Sequence, residues 1–256
     1  MNLSLWLGLG VGTGLLAWGA ASGEAGGFLN THGISVVIGG TLTALLAGTP
    51  MATLVSSVRR GLGLFMADRT PTLEAAMAEV LRLAQAAQDG GGLLSIQDEA
   101  RDFAEGFLHR CVRVAIACGE TSDARRVLEE DIRQRRILRN EDANVYRTAG
   151  MLSPMFGILG TLIGMIQVLS KLNDPSKVGP AMALALSSAF LGIAIANILC
   201  IPLAGQIRMW AMKESLVLEV ILEGVLNIAL GRPPIVVEMR LASYLGARPT
   251  PAGRPK

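Results

Sequence analysis

Charged side chains are absent from four long stretches of this chain, which cover residues Leu3–Ala21, Gly33–Val55, Met151–Leu169 and Val178–Ile207. Each stretch has at least about 19 residues, and about 20 apolar residues in a helix cross the hydrocarbon core of a bilayer. A soluble domain scatters its apolar residues among charges instead. Together with a mean hydropathy of +0.45, this pattern predicts an all-α integral membrane protein with four transmembrane helices.

Side chains that bind metals or carry catalysis are also scarce. The chain has two histidines and three cysteines, and their spacing matches no zinc site. We predict no metal site and no cofactor. The GxxxxGK phosphate loop, the HExxH motif and the serine elbow are missing as well, so we expect no enzymatic activity.

The distribution of Lys and Arg predicts the orientation. Residues 56–150 contain 14 of the 23 basic residues, the segment after Ile207 contains 7, and the first connection, Ser22–His32, contains none. Because basic residues accumulate on the cytoplasmic side, both termini and the charged insert are expected there. A cleavable signal peptide is the alternative for the first stretch, but Met1–Leu5 lacks the basic residue that such signals carry.

The ends of the apolar stretches divide the chain into four predicted segments. They are a transmembrane hairpin at 1–55, a cytoplasmic helical domain at 56–150, a second transmembrane hairpin at 151–207, and a cytoplasmic helical tail at 208–256 with a disordered end. Within the insert, 15 acidic residues balance the 14 basic ones. This balance argues against binding to nucleic acid.

Apolar residues that recur every three or four positions predict helices in the insert. The first helix is expected to begin at Thr70, as an N-cap followed by proline, and to end at the glycine run 90–92. The second is expected to run from about Ser95 to Cys118.

A third helix is predicted to open at Ser122. No helix breaker follows it before Gly150 and Pro154. We therefore expect one long rod that continues into the third membrane span and kinks at Pro154.

The third and fourth apolar stretches carry small residues at a spacing that lets helices approach closely. These residues are Gly157, Gly160 and Gly164 in the third stretch, and Ala181, Ala185, Ala189, Gly192 and Ala196 in the fourth. Polar side chains at membrane depth tend to face a bundle interior or an aqueous path. Here they are Thr161, Gln167, Ser187, Ser188 and Asn197. Because none of them is a carboxylate, an ion-binding carboxylate must come from another chain.

The segment GILGTLIGMIQVL after Pro154, followed by GPAMALAL and LGIAIANILCIPLAGQI, is similar to the MotA/PomA proteins. These are the ion-conducting stator subunits of the bacterial flagellar motor, within the MotA/TolQ/ExbB superfamily. The order of the spans, the short outer loops and the cytoplasmic insert also agree. The resemblance covers the chain to about Ala242.

The resemblance implies a homopentamer of this chain around a dimer of MotB/PomB-like subunits. Each partner would contribute one transmembrane helix with an essential aspartate, and a peptidoglycan-binding domain. The resemblance also implies a place in the lipid bilayer of the bacterial inner membrane. Ion binding at the partner's aspartate would let the ring step around the dimer, while the insert pushes on the rotor switch protein FliG.

The resemblance implies an ion path at Thr161, Ser188 and Ala189, with Pro154 and Pro202 at the cytoplasmic ends of their spans. Sodium-type members have a threonine on each of these two spans. Thr161 matches the first, whereas the second falls at Ala189, beside Ser188. Since a hard cation prefers several oxygen ligands, the missing hydroxyl favours protons as the transported ion. Sodium, bound transiently near Thr161, is the alternative.

The rotor contact is implied at Arg110, with His109 before it. The acidic residue that usually follows eight positions later is replaced by Cys118. Three acidic residues are close enough to substitute for it, and they are Glu120, Glu129 and Glu130.

Two other classes of protein share parts of this pattern. An ExbB/TolQ-like energiser of an outer-membrane process also forms a ring around a partner dimer. Those relatives typically have three spans, so the N-terminal hairpin, Leu3–Val55, argues against this alternative. An autonomous channel would need an acid or base within its own spans, and the four stretches contain none.

Overall fold

The computed structural model describes residues 8, 10–14, 31–64, 70–97, 99, 101–170, 172–173 and 175–245. These residues form helices joined by turns, and no strand occurs among them. The predicted all-helical class is confirmed. Most of the predicted first span, Leu3–Ala21, and the tail from Ala247 onward lie outside the described residues.

The helices differ widely in length. In chain order they are α1 (Thr31–Ile34), α2 (Gly40–Gly48), α3 (Met51–Gly63), α4 (Leu73–Gly90), α5 (Phe107–Cys118), α6 (Thr121–Leu169), α7 (Pro175–Ala194), α8 (Ile201–Ala229) and α9 (Pro234–Ala242). Two π-helical segments, Ser35–Gly39 and Ile195–Cys200, join α1 to α2 and α7 to α8. Short 3-10 turns occur at Leu93–Ile96 and Ser243–Leu245.

The chain divides into two compact units. The first contains residues 1–68 and 139–209, and the second contains residues 69–138 and 210–256. The boundaries predicted at residues 55, 150 and 207 are limits of apolar stretches, and they stay predictions.

Among the described residues, two helical stretches are long and apolar enough to cross a membrane. They are Thr121–Leu169 and Val178–Ala229, and they contain the predicted third and fourth spans. The apolar helix Ser35–Gly48 is shorter. Length and composition therefore support two of the predicted spans directly.

The predicted second span, Gly33–Val55, is not one helix. Thr49 is extended, with φ −134° and ψ 135°, and α3 begins only after Pro50. Proline has no backbone N–H to donate, and its ring disfavours a helical conformation in the residue before it. The helix therefore ends at Gly48. The uniform hydropathy of the stretch concealed this break.

Helices α4 and α5 contribute to the core of the second unit together with parts of α6, α8 and α9. Val80, Leu83, Phe107, Leu128 and Ile221 are all fully buried there. Because these residues come from four different helices, the core holds together segments that are distant in sequence. Burial of such apolar side chains is the main favourable contribution to folding.

The start of α4 differs from the prediction. Thr72, and not Thr70, is the N-cap, because its hydroxyl accepts a hydrogen bond from the Ala75 amide at 3.2 Å. At the other end, Gly91 adopts φ 86° and caps the helix. This left-handed conformation favours glycine, so the predicted end of α4 at the glycine run is confirmed.

The prediction that the second helix begins near Ser95 is wrong. Helix α5 begins at Phe107, after Ala104, Glu105 and Gly106 with φ values of 51°, 57° and 78°. Consecutive left-handed residues cannot continue a right-handed helix. The apolar periodicity across this segment did not reveal the turn.

The long rod predicted from Ser122 is confirmed as one helix, α6, of 49 residues with Pro154 inside it. Ser122 does not cap this helix, because its hydroxyl donates to the Glu120 carboxylate at 2.6 Å. The kink at Pro154 stays a prediction.

A buried ion pair in the first unit joins α3 to α6. Asp142, only 2% exposed, pairs with Arg60. The hydroxyls of Ser56 and Ser57 donate to the same carboxylate at 2.6 Å and 3.1 Å. Tyr146, one turn further along α6, donates to the Ser57 carbonyl at 3.0 Å. A buried carboxylate needs such partners because the loss of hydration is costly.

The substitution Asp142→Asn is expected to lower the free energy of unfolding by about 3 kcal/mol, because it leaves the Arg60 guanidinium without its counter-charge. Chemical unfolding of the purified chain in detergent would measure this loss. Glu141→Gln, at the exposed neighbouring position, is the matched control and should change the stability by less than about 0.5 kcal/mol. Equal losses in the two variants would contradict the role of the ion pair.

Candidate functional site

Helices α6 and α7 of the first unit approach each other through small residues. A methyl group added at Gly164 would lie 2.6 Å from the Ala185 Cβ atom. One added at Gly192 would lie 2.5 Å from the Ser153 carbonyl oxygen and 3.1 Å from the Gly157 Cα atom. Only glycine leaves room for such backbone contact. The close packing predicted for these two stretches is confirmed.

Ser188, a predicted ion-path residue, lies inside this packing. It is fully buried. A methyl group at Gly160 would lie 2.7 Å from its Cβ atom, and one at Gly33 would lie 2.9 Å from its hydroxyl oxygen. Ser188 therefore sits where α1, α6 and α7 meet within this chain. Its role in ion transport stays a prediction.

Thr161 and Ala189 occupy different environments. The Thr161 side chain is half-buried, and its hydroxyl donates to the Ile158 carbonyl of the same helix at 2.6 Å. Its lone pairs still permit it to accept a hydrogen bond or to bind a cation. Ala189 packs against α6, because its Cα atom lies 3.2 Å from a methyl group built at Gly157. Both side chains are half-buried, and only Thr161 carries a hydroxyl.

The two candidate prolines also differ. Pro154 is half-buried inside α6, and it lies one turn before Gly157. Pro202 is exposed and is the second residue of α8, directly after the π-helical segment Ile195–Cys200. A proline in a helix removes one backbone hydrogen bond, and a π-helical segment alters the pairing locally. Both positions therefore interrupt regular helical pairing.

Sequence reasoning missed a buried pair of hydroxyls between α2 and α6. The oxygens of Thr41 and Ser153 lie 3.5 Å apart, and Ser153 also donates to the Ala149 carbonyl at 2.9 Å. The one feature of the sequence that could have pointed to Ser153 is its position next to Pro154. Thr41 lies in an apolar run with no feature that marks it.

The predicted rotor-contact residues lie in the second unit, on α5 and at the start of α6. Arg110 is exposed, and its Nε atom lies 3.3 Å from a carboxylate oxygen of Asp131. Asp131, which the sequence prediction did not include, also lies 3.6 Å from Arg135. His109 is half-buried, and Cys118 is exposed. Arg110, the predicted basic contact, is therefore already paired with an acid of the same chain, Asp131 on α6.

The three predicted acids are exposed and make local contacts. Glu120 accepts from Ser122, Glu129 lies 3.4 Å from Arg125, and Glu130 lies 2.9 Å from Arg133. Hydrogen bonds from Gln134 and Arg133 lower the pKa of Glu130. Exposed pairs of this kind contribute little to stability. The acids therefore remain available to a partner.

A thiol in the core beside these charges is chemically protected. Cys111 is fully buried. Burial, followed by the negative charge of Asp131, raises the pKa of its thiol. Because the thiolate is the reactive form, we interpret Cys111 as a packing residue.

Comparison with known proteins identifies the family. Residues 97–219 match the model of the MotA/TolQ/ExbB proton channel family. This range contains α5, α6, α7 and much of α8, and therefore both helices of the glycine contact. The chain belongs to the MotA/TolQ/ExbB family.

Several of its relatives are named as motility or chemotaxis proteins. The chain is 28% identical to the chemotaxis protein PomA of Vibrio alginolyticus over 225 residues, 87% of each chain. It is also 28% identical to motility protein A of Borreliella burgdorferi over 247 residues, 96% of this chain and 94% of the relative. These matches confirm the resemblance to MotA and PomA.

Two solved structures agree in fold with this MotA-family chain. The MotAB stator complex of Bacillus subtilis superposes with a TM-score of 0.84 at 26% identity, over 93% of this chain and 94% of that chain. The MotAB structure of C. jejuni gives a TM-score of 0.88 at 20% identity, with 98% of each chain covered. The helix arrangement is therefore that of MotA proteins.

The substitution Gly192→Ala tests the contact between the two helices of this MotA-family chain. The added methyl group would force the Ser153 backbone away, so we expect a loss of about 1–3 kcal/mol of unfolding free energy. Gly205→Ala is the matched control, because it adds the same group where no other described segment of the chain comes within 4 Å. Unfolding in detergent should separate the two variants. A Gly192→Ala protein as stable as the control would contradict the packing argument.

Proposed function

We propose that this chain is a stator subunit of the bacterial flagellar motor. With a single-span MotB/PomB-like partner it would form an ion channel that converts ion flow into torque on the rotor. One observation carries this proposal. Helices α6 and α7 pack at backbone contact, yet the apolar stretches 151–169 and 178–207 contain no carboxylate. The names of the relatives and the MotAB complexes among the solved structures support it.

The proposed topology has four membrane spans, with both termini and the second unit on the cytoplasmic side of the inner membrane. The excess of Lys and Arg in residues 56–150 and after Ile207 supports this orientation. Because Thr49 is extended, the second span either contains this non-helical residue or ends at Gly48. Non-helical backbone is tolerated at membrane depth only where protein covers it.

The partner's aspartate would act as the ion carrier. A charged carboxylate is costly at membrane depth, whereas a protonated one is much less so. Protonation would therefore let the partner helix move past apolar residues, and release of the proton would hold it at a polar position. Thr161 supplies such a position, because its oxygen can accept a hydrogen bond. A homopentamer of this chain around a dimer would repeat this position around the partner.

Torque would pass to the rotor switch protein FliG through the charged surface of α5 and the start of α6. Arg110 is the proposed basic contact, with His109 beside it, and Glu120, Glu129 and Glu130 are the proposed acids. The ion pair between Arg110 and Asp131 lies at 3.3 Å with Arg110 more than half exposed. Such a pair is weak, so an acid of the rotor can compete for the same guanidinium.

Protons are the proposed transported ion. A sodium site needs several oxygen ligands, and Ala189 removes one hydroxyl. The Ser188 hydroxyl does not take the place of the missing one, because Ser188 is fully buried between α1, α6 and α7. The ExbB/TolQ-like alternative is not favoured, since the relatives reported above are motility proteins.

Ion flux tests the need for a second chain. Expressed alone, this protein is expected to conduct no ions, because its apolar stretches contain no Asp, Glu, His, Lys or Arg. Co-expression with the partner should produce an acidification that a cytoplasmic pH indicator records. A partner with its span aspartate changed to asparagine is the control and should restore the baseline. Robust flux through the isolated chain would sink the proposal.

Swimming assays test the choice of ion separately. Cells whose only stator contains this chain should swim in sodium-free medium and stop when a protonophore is added, because the missing hydroxyl at Ala189 disfavours sodium. Swimming speed against sodium concentration is the measurement. Motility that needs sodium and survives the protonophore would reverse the assignment while leaving the stator role intact.

A further inference from the structure

A cavity of about 310 Å³ lies within the second unit. Its walls come from the first turns of α6, the last turns of α8, the turn after α8, and α9. Pockets for small molecules have volumes of about 300–1,000 Å³, so this cavity has room for one small ligand. It contains none of the residues assigned above to the ion path or to the rotor contact.

Positive charge dominates the lining of this cavity. Three arginines, Arg125, Arg232 and Arg240, face one carboxylate, Glu223. Burial by itself raises the pKa of Glu223, but hydrogen bonds from Arg125 and Asn227 outweigh this effect and the pKa is lowered. Glu223 is therefore ionised at neutral pH. Two positive charges remain in excess within the lining, although Arg125 also pairs with Glu129, which lies outside it, at 3.4 Å.

Glu223 positions two of the arginines without using all their donors. Its carboxylate lies 2.7 Å from Arg125 and 3.4 Å from Arg240. Each guanidinium has five N–H groups, so most of them remain for a ligand. The side chain of Arg232 is half-buried, and it makes no hydrogen bond or ion pair with any residue that the structure describes.

Two further features of the wall point to the ligand. The first turn of α6 lines the cavity at Thr121 and Ser122, and the unpaired amides of a helix N-terminus attract anions. Asn227, 2% exposed, donates to Glu223 at 2.6 Å and 3.0 Å through its amide nitrogen. Its carbonyl oxygen Oδ1 is buried and has no hydrogen-bond partner among the described residues.

We propose that this cavity binds a small organic phosphate that carries a hydroxyl group near the phosphate. Guanidinium groups arriving from α6, α9 and the turn between α8 and α9 match the several oxygens of a phosphate monoester, because each can donate two parallel hydrogen bonds. The hydroxyl would donate to Oδ1 of Asn227. The proposal does not rest on the stator function, although Arg125 and Ser122 of the lining also contact Glu129 and Glu120.

Binding of ribose 5-phosphate to the full chain tests the proposal. The chain is purified in detergent with the subunits that stay bound to it, and titration calorimetry compares ribose 5-phosphate, inorganic phosphate and ribose. We expect ribose 5-phosphate to bind tightest and ribose not to bind. Arg232→Gln should weaken its binding about tenfold or more, and Arg232→Lys should weaken it less, because it keeps the charge and loses the planar fork.

Arg126→Gln is the matched control, because it removes an exposed arginine of α6, next to Arg125, that does not line the cavity. Its affinity for ribose 5-phosphate should stay within about twofold of the unaltered chain. The proposal is overturned if neither phosphate binds, if inorganic phosphate alone binds, or if the two glutamine variants lose affinity equally.

A lipid headgroup could supply the same phosphate monoester. Nanodiscs that contain lysophosphatidic acid, which keeps a free hydroxyl beside its phosphate monoester, distinguish this source from a soluble metabolite. If the nanodiscs bind, depend on Arg232 and displace ribose 5-phosphate, the site is supported with a lipid as its ligand. If they do not compete, a soluble phosphate is supported.

Discussion

Backbone contact between α6 and α7 is the constraint on which the first unit depends. Gly157, Gly164 and Gly192 have no side chain to separate the two helices, and each lies where an added methyl group would crowd the facing helix. Lipid offers no hydrophobic gain when helices associate, so their contact must come from packing. The same contact buries Ser188 and brings Ala189 against α6. The positions available to an ion are therefore decided by small residues and not by the polar ones alone.

The charged residues of this protein lie outside the apolar parts of α6 and α7. The stretches 151–169 and 178–207 have none, while Asp142, about three turns before Pro154 along α6, forms a buried ion pair with Arg60 of α3. In the second unit, most of the charges form exposed pairs, and Arg110 with Asp131 and Arg125 with Glu223 each join two helices. Buried pairs fix a structure because breaking them leaves an uncompensated charge, whereas exposed pairs exchange partners readily. The two units use charge for these different purposes.

The existence of the helices could be predicted from the sequence, but several of their limits could not. Periodicity predicted α5, yet the left-handed turn before Phe107 consists partly of Ala104 and Glu105, residue types that do not signal such a turn. Proline at position 50 was a visible signal, but uniform hydropathy outweighed it. Hydropathy and periodicity average over many residues, whereas a cap or a break depends on the conformation of one.

Sequence by itself determined the family, the absence of a carboxylate from the apolar stretches, and the small residues that let two helices meet. These are properties of composition and spacing, and they need no neighbour to define them. Only the tertiary structure decided that Asp142 lies against Ser56 and Arg60, that Ser188 is buried beside Gly33 and Gly160, and that three arginines surround one cavity. Spacing along a helix shows which residues share a face. It does not show which distant segment that face will meet, because folding chooses the partner by packing and charge together.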